Sequence, residues 1–189
     1  MSTWPVPADA RRRIPEPGEP GSFWEDRGDR FHCGIDIYAP AGSGVVAIED
    51  GRVLRTGVQT DPGSVPYWNR TWYVLIEHAG GRIARYAELA GCSVAQGDAV
   101  REGEQIGSIG TVIEPARVTA AAPAYIRRLA EGSRTAMLHL EVYARNPEMP
   151  AGSYAGGNWF GPGRPAWLLD PAVLLAVAEA REHGTDRKE

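Results

Sequence analysis

The chain has 189 residues, 43% of them hydrophobic and 23% charged, with a formal net charge of −4. That size and apolar content suit one folded domain with tails and exclude a disordered chain. The only basic run, Arg11-Arg12-Arg13, reads as a solvated piece of tail, so no nucleic-acid partner is expected. The only lysine is Lys188, against nineteen arginines. Chemistry that needs an interior lysine, such as a Walker A loop or a Schiff base, is thereby excluded.

In chain order, residues 1–30 are rich in Pro, Gly and charge and read as an N-terminal arm, lying over the domain or disordered, with Trp4, Phe23 and Trp24 as its anchors. No apolar h-region of a signal peptide is visible there. The default expectation for localisation is therefore the cytoplasm, with export by another route left open. No apolar run is long enough to span a membrane. Residues 31–110 are short apolar strands punctuated by Gly and Asp-Gly, the rhythm of an all-β sandwich or barrel. Asp50-Gly51 reads as a hairpin turn. The stretch from Thr56 to Thr71 reads as a long loop, whose Tyr67 and Trp68 either line a groove or pack beneath it. Residues 111–136 read as an insertion carrying a helix from about 123 to 131, started by Pro123 and stopped by Gly132, and placed to cover a site. Residues 138–142, Leu-His-Leu-Glu-Val, alternate as a strand with one buried face. Residues 146–189 are a Gly/Pro/Trp-rich segment followed by a terminal helix capped by Asp170, started by Pro171 and ended by Gly184.

Candidate chemistry sits in two of these strands. His32 and Asp36 lie in Phe31-His32-Cys33-Gly34-Ile35-Asp36, and His139 lies in the alternating strand. Two imidazoles and one carboxylate can bind zinc and leave a fourth position for water. In a straight strand, residues four apart lie about 13 Å from each other. His32 and Asp36 can therefore converge only if the chain bends, and Gly34 allows the bend. Period two puts Glu141 beside His139, where it can hold the histidine from behind. His78 ends an apolar strand and reads as structural or surface-lying. Cys33 and Cys92 have no zinc-ribbon or redox spacing and read as free thiols, with Cys33 facing away from the ligands.

The order of these segments resembles the lysostaphin/LytM-type zinc endopeptidases, which cut peptide cross-bridges of bacterial cell walls. The resemblance is carried by His32-Cys33-Gly34-Ile35-Asp36, by Val45 to Val53, and by the strand Val74 to His78. It continues through Tyr86-Ala87-Glu88-Leu89, Gly97-Asp98-Ala99-Val100 running on to Ile106-Gly107, and Met137-Leu138-His139-Leu140-Glu141. It covers about residues 28–145, so the domain is taken as 31–145 with the insertion at 111–136. It implies an antiparallel β-sandwich or half-open barrel built on a duplicated hybrid motif, a Zn2+ ion on His32, Asp36 and His139, and a peptide or peptidoglycan cross-bridge as partner. Val94 to Gly107 is also similar to the hammerhead of biotinyl and lipoyl carriers, but without a lysine no swinging arm can attach.

Two positions depart from the family. Glu88 stands where it has one catalytic histidine, and Met137 where it has the other. By period two, Tyr86 and Glu88 share a face. Glu88 is then a candidate general base, and Tyr86 or an arginine a candidate donor to the oxyanion. Three readings stand at this stage: a zinc metallopeptidase using Glu88, a catalytically inactive binding or regulatory domain that keeps the groove, and a carbohydrate-binding β-domain without metal.

Overall fold

Alternating apolar residues convert the middle of the chain into antiparallel β-structure, as the sequence pattern requires. A computed structural model describes residues 3–9, 11–132 and 135–175. Its strands are β1 Phe31–His32, β2 Ile35–Tyr38, β3 Gly44–Val46, β4 Gly51–Thr60, β5 Thr71–His78, β6 Ile83–Cys92, β7 Ala99–Val100 and β8 Gln105–Ile109. After the insertion, which carries helix α1 Ala124–Glu131, come β9 Met137–Tyr143, β10 Tyr154–Ala155, β11 Asn158–Trp159 and β12 Leu168–Leu169. The large sheet runs β12-β9-β6-β5-β4-β7, with β2 also on β9, β8 also on β6 and β3 on β8. A second sheet of three short strands has the order β1-β11-β10. The fold is all-β with few short helices.

Strand β9 is the organising element. All seven of its residues are buried. Strand β6 pairs with β9 from Ile83↔Tyr143 to Ala87↔His139. Strand β2 pairs with it from Ile35↔Leu140 to Tyr38↔Met137. Ile35, Ile37, Leu138 and Leu140 point into the main core with Val74, Ile76 and Leu89. Asp36 and His139 stand directly opposite each other in register and face the other way.

The bend expected between His32 and Asp36 is present: β1 belongs to the small sheet and β2 to the large one. Gly34 sits at the crossing because nothing larger fits. A methyl group there would lie 2.2 Å from the Leu140 carbonyl oxygen and 3.0 Å from Glu141 Cγ.

Some sequence expectations change. Strand β4 runs on to Thr60, so the loop before β5 is shorter than expected. Asp50-Gly51 does not close a hairpin, because β3 pairs with β8 while β4 pairs with β5 and β7. Gly51 instead permits close strand approach, since a Cβ there would lie 2.6 Å from the Glu77 carbonyl oxygen. The N-terminal arm lies on the domain, with Trp4 and Val6 buried in the main core. The Thr3 N–H donates to Ile48 O, and the Val46 N–H donates to Pro5 O. Helix α1 falls where the Pro123 and Gly132 signals put it. It packs through Ile126 on a third apolar cluster with Val112, Ile113 and Met137. The terminal helix begins as expected, with Asp170 Oδ1 accepting the Ala172 N–H and residues 171–175 helical. Its remaining span to Gly184 lies outside the described residues. Among the described residues no helix is long and apolar enough to cross a membrane.

Gly34→Ala is expected to force β2 away from β9 and to destabilise the fold by about 3 kcal/mol. For a chain of this size that is a fall of roughly 6–12 °C in melting temperature, read by thermal unfolding. Gly91→Ala, where a Cβ would meet nothing within 4 Å, is the matched control and should leave the melting temperature within a degree or two.

Candidate metal centre

The bend and the β2–β9 register bring His32, Asp36 and His139 to one point, all three buried. His32 Nδ1 donates to the Ser22 carbonyl oxygen at 2.8 Å. A carbonyl can only accept, so that contact assigns the proton to Nδ1 and leaves a lone pair on Nε2. His139 Nε2 donates to Glu141 Oε1 at 2.7 Å, which leaves the lone pair on Nδ1. The three inward atoms form a near-equilateral triangle. His32 Nε2 is 2.9 Å from His139 Nδ1. Asp36 Oδ1 lies 3.2 Å from the first and 3.0 Å from the second.

Three acceptor atoms at such distances repel one another unless a proton or a cation sits among them. Tetrahedral bonds of about 2.0–2.1 Å would place ligand atoms roughly 3.3 Å apart, so the triangle fits a single small ion. The titration behaviour shows the same tension. His139 is pushed up to about 10: burial acts against its charge, but the hydrogen bonds to Asp36 and Glu141 outweigh that. His32 is pushed down by burial and by the Arg27 charge. Burial would raise Asp36, yet His32 and His139 hold it below the usual carboxylate range. Without an ion the cluster therefore keeps one proton on His139, at the lone pair a cation would use.

The support behind these three residues was partly legible. Glu141 does stand behind His139, as the alternation implied. Burial opposes its charge, but His139 holds it down to about 2. Its oxygens also accept from the hydroxyls of Tyr143 and Tyr154. Tyr143 continues the same period-two series, whereas nothing in the sequence marks Tyr154. Gly157 presses on the His139 ring, where a Cβ would come within 2.6 Å of Nε2. The arm also supports Asp36: Gly21 O accepts its N–H, and Arg27 Nη2 lies 3.5 Å from its Oδ2.

Glu88 reaches the site by breaking the strand pattern. It has φ 64°, a left-handed conformation that costs a non-glycine residue about 1–2 kcal/mol. On the β5 side, Val74↔Tyr86 is followed by Trp72↔Leu89, so β6 carries one extra residue. On the other side β6 leaves β9 after Ala87↔His139 and joins β8 at Leu89↔Ile109. Glu88 sits at this change of partner. Its carbonyl accepts the Gly110 N–H at 2.8 Å. Its side chain is 7% exposed, and Oε2 has no hydrogen-bond partner among the described residues. Burial, with the Asp36 charge adding, pushes its pKa up to about 8 against the pull of His139 and Arg27.

The same bulge corrects the reading of Tyr86. The alternation that was to place Tyr86 beside Glu88 fails at the extra residue. Tyr86 points into the main core. Its hydroxyl accepts the Ile48 N–H at 2.9 Å and contacts His78 Nε2 at 3.0 Å. His78 is buried and bridges Tyr86 to Asp50 O, a structural role and not a surface one. Cys33 and Cys92 are free.

A cavity of about 220 Å³ opens beside the cluster. Asp36, Glu88 and Arg27 give it a polar side, and Met137, Trp68 and Ile126 an apolar one. The insertion thus forms a wall, and Trp68 both lines the cavity and packs on the insertion's apolar cluster.

A β-domain that converges two imidazoles and a carboxylate beside an open cavity belongs with the metallopeptidase-like folds. The family model of Peptidase family M23 matches residues 30–149, and the chain belongs to that family, as a LytM-type member. Over 77 residues it is 35% identical to the cell division protein DipM of Caulobacter vibrioides, covering 41% of this chain and 12% of that protein. Over 82 residues it is 40% identical to the DD-carboxypeptidase/endopeptidase Mpg of Neisseria meningitidis, covering 43% of this chain and 17% of that one. The match therefore spans less than a fifth of either curated relative. Among solved structures, the catalytic domain of lysostaphin from Staphylococcus simulans is 17% identical with a TM-score of 0.49, over 84% of this chain and 90% of that one. A zinc containing peptidase from Vibrio cholerae is 24% identical with a TM-score of 0.47, over 79% and 41%.

Tyr86→Phe should strand the Ile48 N–H and His78 Nε2 in the core and cost about 1–3 kcal/mol of stability, read by denaturant unfolding. Metal content by elemental analysis should not change, because the hydroxyl faces away from the cluster.

Proposed function

We propose that the chain is a metal-dependent hydrolase of peptide bonds, with Zn2+ the preferred ion and a peptide or peptidoglycan cross-bridge the substrate. The observation that carries this reading is the triangle of His32 Nε2, Asp36 Oδ1 and His139 Nδ1, three acceptors turned inward by donors fixed behind them. Two imidazoles and a carboxylate suit zinc better than calcium or magnesium, which prefer all-oxygen shells. Such an ion, when bound, supplies Lewis acidity to a water and to a carbonyl oxygen.

The chain's own residues supply the remainder. Ser22 O and Glu141 fix the imidazole tautomers and aim the rings. Glu88 offers the proton acceptor. Its Oε2 has no hydrogen-bond partner among the described residues, and Glu88 is among the residues lining the cavity in which a scissile bond would lie. A base with a pKa near working pH takes a proton from water and gives it back to the leaving amine efficiently. The backbone strain at Glu88 is consistent with a residue positioned for chemistry and not for strand pairing. Met137 and the insertion supply an apolar wall that limits water around the base. The substrate proposed here lies outside the cytoplasm, so the reading requires export of the protein. One observation favours a second reading, a binding or regulatory domain that keeps the metal: Met137, buried at a position where the family has a histidine, can neither transfer a proton nor donate a hydrogen bond.

Glu88→Gln should keep its zinc and lose about 10²- to 10⁴-fold in turnover of a cross-bridge peptide. Undiminished turnover would remove Glu88 from the mechanism. A zinc-loaded parent protein inert across a peptide panel would favour the binding domain. Separately, Glu141→Gln should weaken zinc affinity by about 10- to 100-fold in a chelator competition, since His139 loses the carboxylate that orients it.

A further inference from the structure

Arg27 is a largely buried guanidinium with more donors than partners. It comes from the N-terminal arm, and its side chain is 10% exposed. Nε donates to Glu25 Oε2 at 3.1 Å, and Nη1 donates to Asn158 Oδ1 at 3.0 Å. The Tyr125 ring of α1 lies beneath it, 4.7 Å from the guanidinium carbon. Three separate segments thus hold the fork in one orientation. Nη2 faces Asp36 Oδ2 at 3.5 Å, an ion pair too long for a good hydrogen bond. Of the five N–H donors of an arginine, two are in hydrogen bonds among the described residues. The residue lines the cavity that Glu88 and Asp36 also line.

We propose that Arg27 binds the anionic oxygen of the substrate at this centre, in the donor role that Met137 cannot fill. The inference rests on the hydrolase reading for its catalytic meaning, though not for its test. Asp36 links the two groups: Oδ1 belongs to the triangle, and Oδ2 faces the guanidinium. A ligand oxygen in the cavity on the Oδ2 side would be near both the fork and an ion held by the triangle. A bound divalent ion would add positive charge beside Arg27 and so favour an anion in the cavity. Tyr86 and the other arginines near the centre fit less well. Tyr86 is in the core. Arg85 is committed to Gln59 and to the Tyr73 ring. Arg128 is exposed at the cavity rim. The guanidinium keeps its proton throughout and stabilises charge by hydrogen bonding alone.

The test titrates inorganic phosphate, a tetrahedral oxyanion, into zinc-loaded and zinc-free protein by calorimetry, with zinc content measured on each variant. The expected result is phosphate binding by the zinc-loaded form alone. Arg27→Gln should weaken it by about 10- to 100-fold at unchanged zinc content, Arg27→Lys by less, and Arg128→Gln not measurably. If Arg27→Gln loses zinc or fails to fold, Tyr125→Leu decides. It leaves the charge in place but frees the fork, and it should weaken phosphate binding several-fold. Wild-type phosphate affinity in zinc-loaded Arg27→Gln, or in Tyr125→Leu where that variant decides, overturns the proposal, as does a zinc-loaded parent that binds no phosphate. Phosphate binding does not depend on turnover. An inert but phosphate-binding protein would therefore sink the hydrolase reading and leave the Arg27 site standing.

Discussion

The antiparallel pairing of β2 with β9, in the register that sets Asp36 opposite His139, is the constraint on which the centre depends. A slip of one residue would turn Asp36 into the main core and bring Ile35 or Ile37 to the site. The register is protected because the same alternation buries Ile35, Ile37, Leu138 and Leu140 on the opposite face. The apolar effect thus secures a polar geometry: Asp36 and His139 are placed by what their neighbours bury. Gly34 completes the arrangement by letting the backbone cross the Leu140 carbonyl, so that His32 arrives from the second sheet.

Burying this much charge demands answers for every group. Asp36 meets two imidazoles and Arg27; Arg27 meets Glu25, Asn158 and the Tyr125 ring; Glu141 meets His139 and two tyrosine hydroxyls. Each contact compensates the loss of water around its charge. Glu88, with an oxygen left unpaired in a strained backbone, and Arg27, with donors to spare, are the groups of this network with capacity left for a substrate or a water.

Met137 and Glu88 have different physical settings. Met137 is absorbed by apolar packing against the insertion and forms part of the cavity wall. Glu88 is not absorbed. The partner change of β6, from β9 to β8, falls at Glu88, which lines the cavity.

Much of the centre was legible along the chain, because the signals were local. Strand alternation placed His139 and Glu141 on one face, and a glycine midway between His32 and Asp36 announced the bend. The all-β class followed from the spacing of short apolar runs and turns, and the insertion helix from Pro123 and Gly132. What only the tertiary structure decided came from breaks in periodicity and from long-range approach. The extra residue in β6 separates Tyr86 from Glu88, and no local composition marks where a strand will change partners. Asp50-Gly51 has the residues of a hairpin, but the glycine serves close packing between β4 and β5. Arg27 and Ser22 lie in a segment that reads as an arm, and they enter the centre because that segment hydrogen-bonds back onto His32 and Asp36. Periodic patterns report which face a side chain takes; they cannot report which distant segment will be folded against it.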